Sequence, residues 1–285
     1  MTSFSHLRKE FHTTILDEGL LSRNEQGIPS NADKDSKPST RIANGILDRL
    51  GKTETAEKLP GQGSGARFER ICGRFVDSAF RLLYHMRPGS WSIGSDVNLG
   101  NLGIASLDQY EHLDSLSQLS KENPTLAAAL GSDYLIKPDV VIIRHPENDE
   151  WINANDMLVN DAIATLSSLR KNNNEKPILH ASISCKWTIR SDRVQNARSE
   201  GLNLVKNRKG RLPHIVVVTG EPMPNRLAAI ALGTGEIDCV YHFALKELCE
   251  TIDELGMEDS REMIDTMIEG KRLRDITDLP LDLVI

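Results

Sequence analysis

Residues 179–187 read LHASISCKW, and their alternation is the key to the fold. In an extended chain Ala181, Ile183, Cys185 and Trp187 share one face, and Ser182, Ser184 and Lys186 share the other. The pattern predicts a strand with one side in a core and one side open to chemistry. Three other stretches have strand character: residues 133–143 (DYLIKPDVVII), with Pro138 at an edge or kink, 214–219 (HIVVVT) and 238–243 (DCVYHF). Helical patterns at about 155–170, 190–207, 224–232, 244–254 and 259–270 lie between and after them. Strands alternating with helices imply an α/β domain with a covered central sheet.

Ahead of the strands, a long amphipathic helix is expected over about 66–86. Phe68, Ile71, Cys72, Phe75, Val76, Ala79, Leu82 and Leu83 recur at helical spacing, and Arg87-Pro88-Gly89 stops them. The first 65 residues are polar, and we expect them to be irregular apart from a short helix near 41–50. No linker or internal repeat divides the chain. The expectation is a single domain over 1–285, with an irregular N-terminal region (1–65) and an α/β core (66–285).

Composition narrows the function classes. Apolar residues make up 39% and charged residues 26%, which fits a globular chain rather than a disordered one. No apolar run approaches the roughly 18 residues of a membrane helix and the first residues do not look secretory, so no membrane partner and a cytoplasmic location are expected. Cys72, Cys185, Cys239 and Cys249 are widely spaced and form no CxxC pair, which points to buried thiols rather than zinc or disulfides. The net charge of −7 argues against a polycation that coats nucleic acid. Within residues 186–211, however, eight basic side chains face only Asp192 and Glu200, a local charge of +6. One basic region in an acidic protein is the asymmetry of a localised phosphate-binding surface.

The candidate chemistry sits on the two central strand patterns. Asp139 follows Pro138 among Ile136, Val140 and Ile142, a costly place for a carboxylate unless a cation or hydrogen-bond donors compensate. Lys186 shares a strand face with Ser184 and can project beside whatever Asp139 binds. A carboxylate that holds Mg²⁺, with a lysine near the attacking water, meets the needs of phosphodiester hydrolysis. A second carboxylate is also required, and two candidates stay open: Glu200, on the helix after the lysine strand, and Glu69, in the long helix. Immediately after the lysine comes Arg190-Ser191-Asp192-Arg193. Arginine can bond guanine O6 and N7, and aspartate can accept from cytosine N4, so this segment suits a C·G-rich site. The Gly61-Gln62-Gly63-Ser64-Gly65 stretch lacks the GK[ST] ending of a phosphate loop and reads instead as a flexible loop near a minor groove. No GxSxG elbow or HExxH helix offers a different hydrolase.

Pro138-Asp139, Ser184-x-Lys186, Glu200 and the RSDR segment together resemble the PD-(D/E)xK nucleases, in the permuted form of the restriction endonucleases that cut around CCGG. The resemblance extends over essentially the whole chain and implies a restriction-endonuclease-like fold, a central mixed β-sheet flanked by helices. It implies Mg²⁺, two ions per active site, held by Asp139 with help from the Cys185 carbonyl and from Glu69 through a water. Lys186 becomes the catalytic lysine. Ser184 marks where the usual carboxylate is missing, and Glu200 replaces it from the helix. Arg190, Asp192 and Arg193 become base readers, Asp33 and Arg226 contacts to the outer base pair, and Gln62 a minor-groove contact. The implied activity is a double-strand cut at GCCGGC after the first G, leaving 5′-phosphate CCGG overhangs. The implied partners are double-stranded DNA, further copies of the chain in a tetramer that binds two DNA copies, and a cognate DNA methyltransferase. Two alternatives remain from the residues alone: another PD-(D/E)xK nuclease of repair or junction-cleaving type, and a non-catalytic DNA-binding regulator.

Overall fold

The structure is a computed structural model, which describes residues 2–51, 61–123, 125, 136–189, 191–233 and 235–285. Six strands form one sheet in sequence order: β1 (Trp91–Gly94), β2 (Val140–Arg144), β3 (Ile178–Lys186), β4 (His214–Thr219), β5 (Cys239–His242) and β6 (Leu273–Asp275). The β1–β2 and β2–β3 pairs are antiparallel, and the β3–β4, β4–β5 and β5–β6 pairs are parallel. The expected mixed sheet flanked by helices is therefore the architecture of this chain. Short β1 and β6 were not expected, because three or four residues cannot display a period. The part of the 133–143 strand pattern before residue 136 lies outside the described residues.

Ten α-helices are described: α1 (Ser3–Asp17), α2 (Lys37–Leu50), α3 (Gly61–Leu82), α4 (His112–Glu122), α5 (Asp149–Ile152), α6 (Ser191–Asn207), α7 (Pro224–Ala231), α8 (Leu245–Glu254), α9 (Glu258–Glu269) and α10 (Leu279–Asp282). The long helix is present as α3, where Phe68, Ile71, Cys72, Phe75 and Val76 are buried. They join Val140, Ile142, Ala181, Ile183, Cys185 and Trp187 in the larger core. A smaller core on the other side gathers Ile104, Leu107, Tyr110, Leu113 and Leu204 against Val141, Ile143, Leu179 and Ile215.

The sheet departs from simple alternation at one position. Ile142 pairs with Ala181 and Ile143 with Leu179, so His180 is an extra residue, a β-bulge. His180 and Ala181 both turn towards the larger core, where the His180 ring meets Phe80 and Trp91. Leu179 is thereby moved to the smaller core, on the face that carries Ser182, Ser184 and Lys186 higher up the strand.

Three expectations need correction. The N-terminal region is not irregular: α1 and α2 are folded onto the core through Phe11, Ile15, Ile42, Ile46 and Leu47. The short helix expected near 41–50 is the later part of α2, whereas α1 was not expected. The 61–65 stretch is not a loop, since α3 begins at Gly61; at a helix start the glycines cost little beside the apolar stripe that follows. Residues 155–170 are not helical. Beyond α5 they form turns organised around Arg170, which is 3% exposed and donates to Asp149 and to the carbonyls of Asn160, Ile163 and Ala164. A buried guanidinium with five donors competes for the carbonyls that a helix would use.

Helix α1 is fastened by charge as well as by packing. The Arg8 guanidinium bonds both oxygens of Glu247 on α8 and both of Asp275 on β6, at 2.7–3.1 Å. Burial raises the pKa of both carboxyls, but the hydrogen bonds and charge of Arg8 outweigh it and hold them below their ordinary values. Groups depressed in the folded state contribute stability above their unfolded pKa, and that stability is lost as pH falls through the depressed values. Acid unfolding of the wild type should therefore be steeper than that of Arg8→Met, with the two curves separating on the neutral side. Melting temperatures measured from pH 3 to 7 check this, and parallel curves would refute it.

Candidate active site

The antiparallel pairing of β2 with β3 ends at Val140 and Ile183. One residue earlier on β2, the side chain of Asp139 takes over from the ladder: its Oδ2 accepts the Cys185 N–H at 2.8 Å. The same oxygen accepts the Lys186 ammonium at 2.9 Å and lies 3.5 Å from the Ser184 hydroxyl. On the other side β3 continues in register with β4 as far as Lys186 and Thr219, which keeps the lysine backbone fixed. The Thr219 hydroxyl also donates to the Lys186 carbonyl at 2.7 Å. The expected alternation holds here: Cys185 and Trp187 are buried in the core, and Ser184 and Lys186 face the site.

Asp139 and Lys186 are each under one-fifth exposed, at 19% and 16%. Burial disfavours the ammonium, but the charge and hydrogen bond of Asp139 outweigh this and raise the Lys186 pKa; Glu200 adds to the effect. Glu200 lies on α6, within the electrostatic reach of Lys186, Asp139 and Ser184. Its carboxyl is raised chiefly by burial, with Lys186 opposing and Asp139 reinforcing. Glu69 on α3 behaves similarly: burial raises it first, Asp139 repels its charge, and Lys186 and Lys137 pull the other way. The structure thus brings Asp139, Ser184, Lys186, Glu200 and Glu69 into one electrostatic neighbourhood, with Cys185 contributing its peptide. Among the described residues no three His, Cys, Asp or Glu side chains already form a metal cage.

The expected DNA-contacting residues divide into two groups. Asp33 and Arg226 form an ion pair, which joins the N-terminal loop to α7. Arg190 lies outside the described residues. Asp192 and Arg193 fall in the first turn of α6, and Gln62 in the first turn of α3, but their side chains also lie outside what is described. Cys72, Cys185 and Cys239 are buried thiols as expected, while Cys249 is partly exposed.

One residue of the site region escaped the sequence reading. Glu221 follows β4 and is fully buried. Its Oε2 accepts the Ile189 N–H at 2.8 Å, and its Oε1 accepts the Met223 N–H at 3.1 Å. Burial pushes its carboxyl up to about 7, against those two hydrogen bonds and the nearby Arg226. The one available signal was a lone carboxylate at the end of the apolar run HIVVVTGE.

With this geometry in view, the comparison with known proteins decides the family. The NgoMIV restriction enzyme family model matches residues 11–285. The chain belongs to that family. A relative from Neisseria gonorrhoeae, the type II restriction enzyme NgoMIV, is 56% identical over 282 residues, or 99% of each chain. The present chain is accordingly a type II restriction endonuclease, a site-specific deoxyribonuclease. The crystal structure of the type IIF restriction endonuclease Bse634I with cognate DNA aligns over 90% of this chain and 92% of that one, with 16% identity and a TM-score of 0.36. Membership removes the regulator reading and the repair-nuclease reading.

The site electrostatics give a direct expectation. Asp139→Ala should lower the titration midpoints of both Glu69 and Glu200, because it removes a repelling charge and frees Lys186 to attract them. Carbon-13 titration of the glutamate carboxyls checks it, and unmoved midpoints would mean that these groups do not share one site.

Proposed function

We propose that this endonuclease cleaves DNA with Mg²⁺ at the Asp139–Lys186 site and reads a C·G-rich sequence with the segment that follows. The observation that carries the proposal is the single carboxylate oxygen of Asp139 on which the Lys186 ammonium and the Cys185 peptide converge. Three acidic side chains in a half-buried place, two of them held above their ordinary pKa, suit a divalent cation. The lack of a closed cage among the described residues also fits, since Mg²⁺ is commonly held by one or two carboxylates together with substrate phosphates and waters. Asp139 is the proposed primary ligand, with the Cys185 carbonyl beside it, Glu69 acting through a water and Glu200 completing the acidic set. The family resemblance suggests two ions.

When bound, Mg²⁺ would polarise the scissile phosphate and lower the pKa of an attacking water. Lys186 would orient that water and neutralise the negative charge that develops on the phosphorane. The water oxygen bonds to phosphorus as the P–O3′ bond breaks, which leaves a 5′-phosphate and a 3′-hydroxyl. Ser184 stands where the more usual strand-borne acid would be, and Glu200 would bring that carboxylate near Lys186 from α6.

For sequence reading, Arg190, Asp192 and Arg193 are proposed to contact the inner base pairs, Asp33 and Arg226 the outer pair, and Gln62 the minor groove. Together they fit GCCGGC, cut after the first G, in a host whose methyltransferase protects the same sequence. A tetramer that binds two DNA copies is also proposed. It draws support from α5 and the Arg170-centred turns after it, where Trp151, Met157, Leu158, Ile163 and Leu166 are exposed. Apolar side chains displayed this way suit a contact with other copies.

A plasmid digest with Mg²⁺ should give discrete fragments whose ends all carry CCGG overhangs, and chelation should stop it. Asp139→Ala and Lys186→Ala should each slow single-turnover cleavage by at least about 10²–10³-fold. Unchanged cleavage in either variant would remove that residue from the site. Leu166→Glu combined with Trp151→Ala should lower the mass seen by light scattering at micromolar concentration, and an unchanged mass would exclude this loop from the assembly.

A further inference from the structure

Beyond the residues that touch DNA, the ground-state geometry of this nuclease has a hub. The hub is the buried Glu221 carboxylate, which accepts from the strand exit at Ile189 and from the start of α7 at Met223. Its Oε2 receives the N–H of Ile189, three residues after Lys186 and next to Arg190. Its Oε1 receives the N–H of Met223, the residue before α7, and lies 3.7 Å from Arg226 of that helix. Arg226 in turn pairs with Asp33. The peptide before Glu221 is tied in as well, since the Gly220 carbonyl accepts the Asn31 side-chain amide at 2.8 Å, two residues before Asp33. The Glu221 N–H donates to the Thr219 hydroxyl, the same hydroxyl that donates to the Lys186 carbonyl.

We infer that Glu221 is a positioning residue for specificity: it fixes the strand exit at Ile189, the start of α7 and, through Arg226, the Asp33 loop in one mutual arrangement. A fully buried carboxylate is costly even with Arg226 3.7 Å away, unless its oxygens also accept hydrogen bonds, as both oxygens of Glu221 do. An apolar side chain would fill the same volume at lower cost but would leave the buried Ile189 N–H and the partly buried Met223 N–H unpaired. Glycine at 220 belongs to the same design. A Cβ there would lie 2.6 Å from two Trp187 ring carbons, so the backbone passes under that ring only as glycine and delivers the carboxylate to Ile189.

The inference rests on the proposed reading of Arg226, Asp33 and the 190–193 segment as base contacts, so the test separates the two ideas. Glu221→Gln keeps size and one acceptor but sets an amide N–H against a backbone donor. Hydrogen–deuterium exchange of the DNA-free protein should show residues 187–189 and 223–226 exchanging about tenfold faster, with β3 and β4 unchanged. In cleavage assays, the ratio of rates at the preferred site and at sites with one altered outer base should fall about tenfold. Single-turnover cleavage at the preferred site, with saturating enzyme, should change by less than about threefold. Unchanged exchange at 187–189 and 223–226, or a uniform loss of rate at all sites, would overturn the role of Glu221. If the variant fails to fold, Arg226→Lys is the second test. It should reduce discrimination while leaving exchange at 187–189 at the wild-type rate, because the Glu221–Ile189 bond persists. Accelerated exchange there would overturn the arrangement. Should the wild type itself show no preferred site, the base-contact reading fails, and the exchange result still decides whether Glu221 links these segments.

Discussion

The structure depends on one oxygen atom, Oδ2 of Asp139. At the point where β2 leaves β3, a backbone donor would be orphaned, and the Asp139 side chain accepts it at 2.8 Å. A buried peptide N–H needs a partner, so the carboxylate is structurally required where it stands. Lys186 then supplies the cation that makes a half-buried carboxylate tolerable. The charge pair that serves phosphodiester chemistry is thus also the device that closes the antiparallel half of the sheet. The parallel half, anchored from β4, holds Lys186 in place independently.

Much of this was legible in the sequence. The alternation of 179–187 placed Lys186 and Ser184 opposite Cys185 and Trp187, and the buried faces agree. Period-two and period-3.6 patterns are local, so β3, β4, β5, α3, α7, α8 and α9 could be read from them, while the four-residue α10 could not. The residues alone left Glu200 and Glu69 both open as the second carboxylate, and only the family resemblance singled out Glu200 on the helix after the lysine strand.

What could not be read depends on contacts between residues far apart in the chain. Arg8 makes sense only with Glu247 and Asp275 beside it, and so α1 looked like part of an irregular polar tail. Arg170 draws four partners out of a segment whose composition suits a helix. Glu221 gives no local sign of its task, since its acceptors serve peptides 32 and 2 residues away. In each case a charged group gathers carboxylates, carbonyls or amides that the local sequence does not point to.

The bulge at His180 has a consequence for how this chain can change. A strand without it would transmit its parity along its full length, so that altering one end would dictate which way the other end faces. With the extra residue, the lower part of β3 is out of phase with the upper part, and the two can be edited separately. Leu179 and its neighbours are free to follow the needs of the smaller core. Ser184 and Lys186 keep their orientation from Asp139 and β4 at the opposite end. The bulge works like an expansion joint, isolating the cutting end of the strand from drift in the packing beneath it.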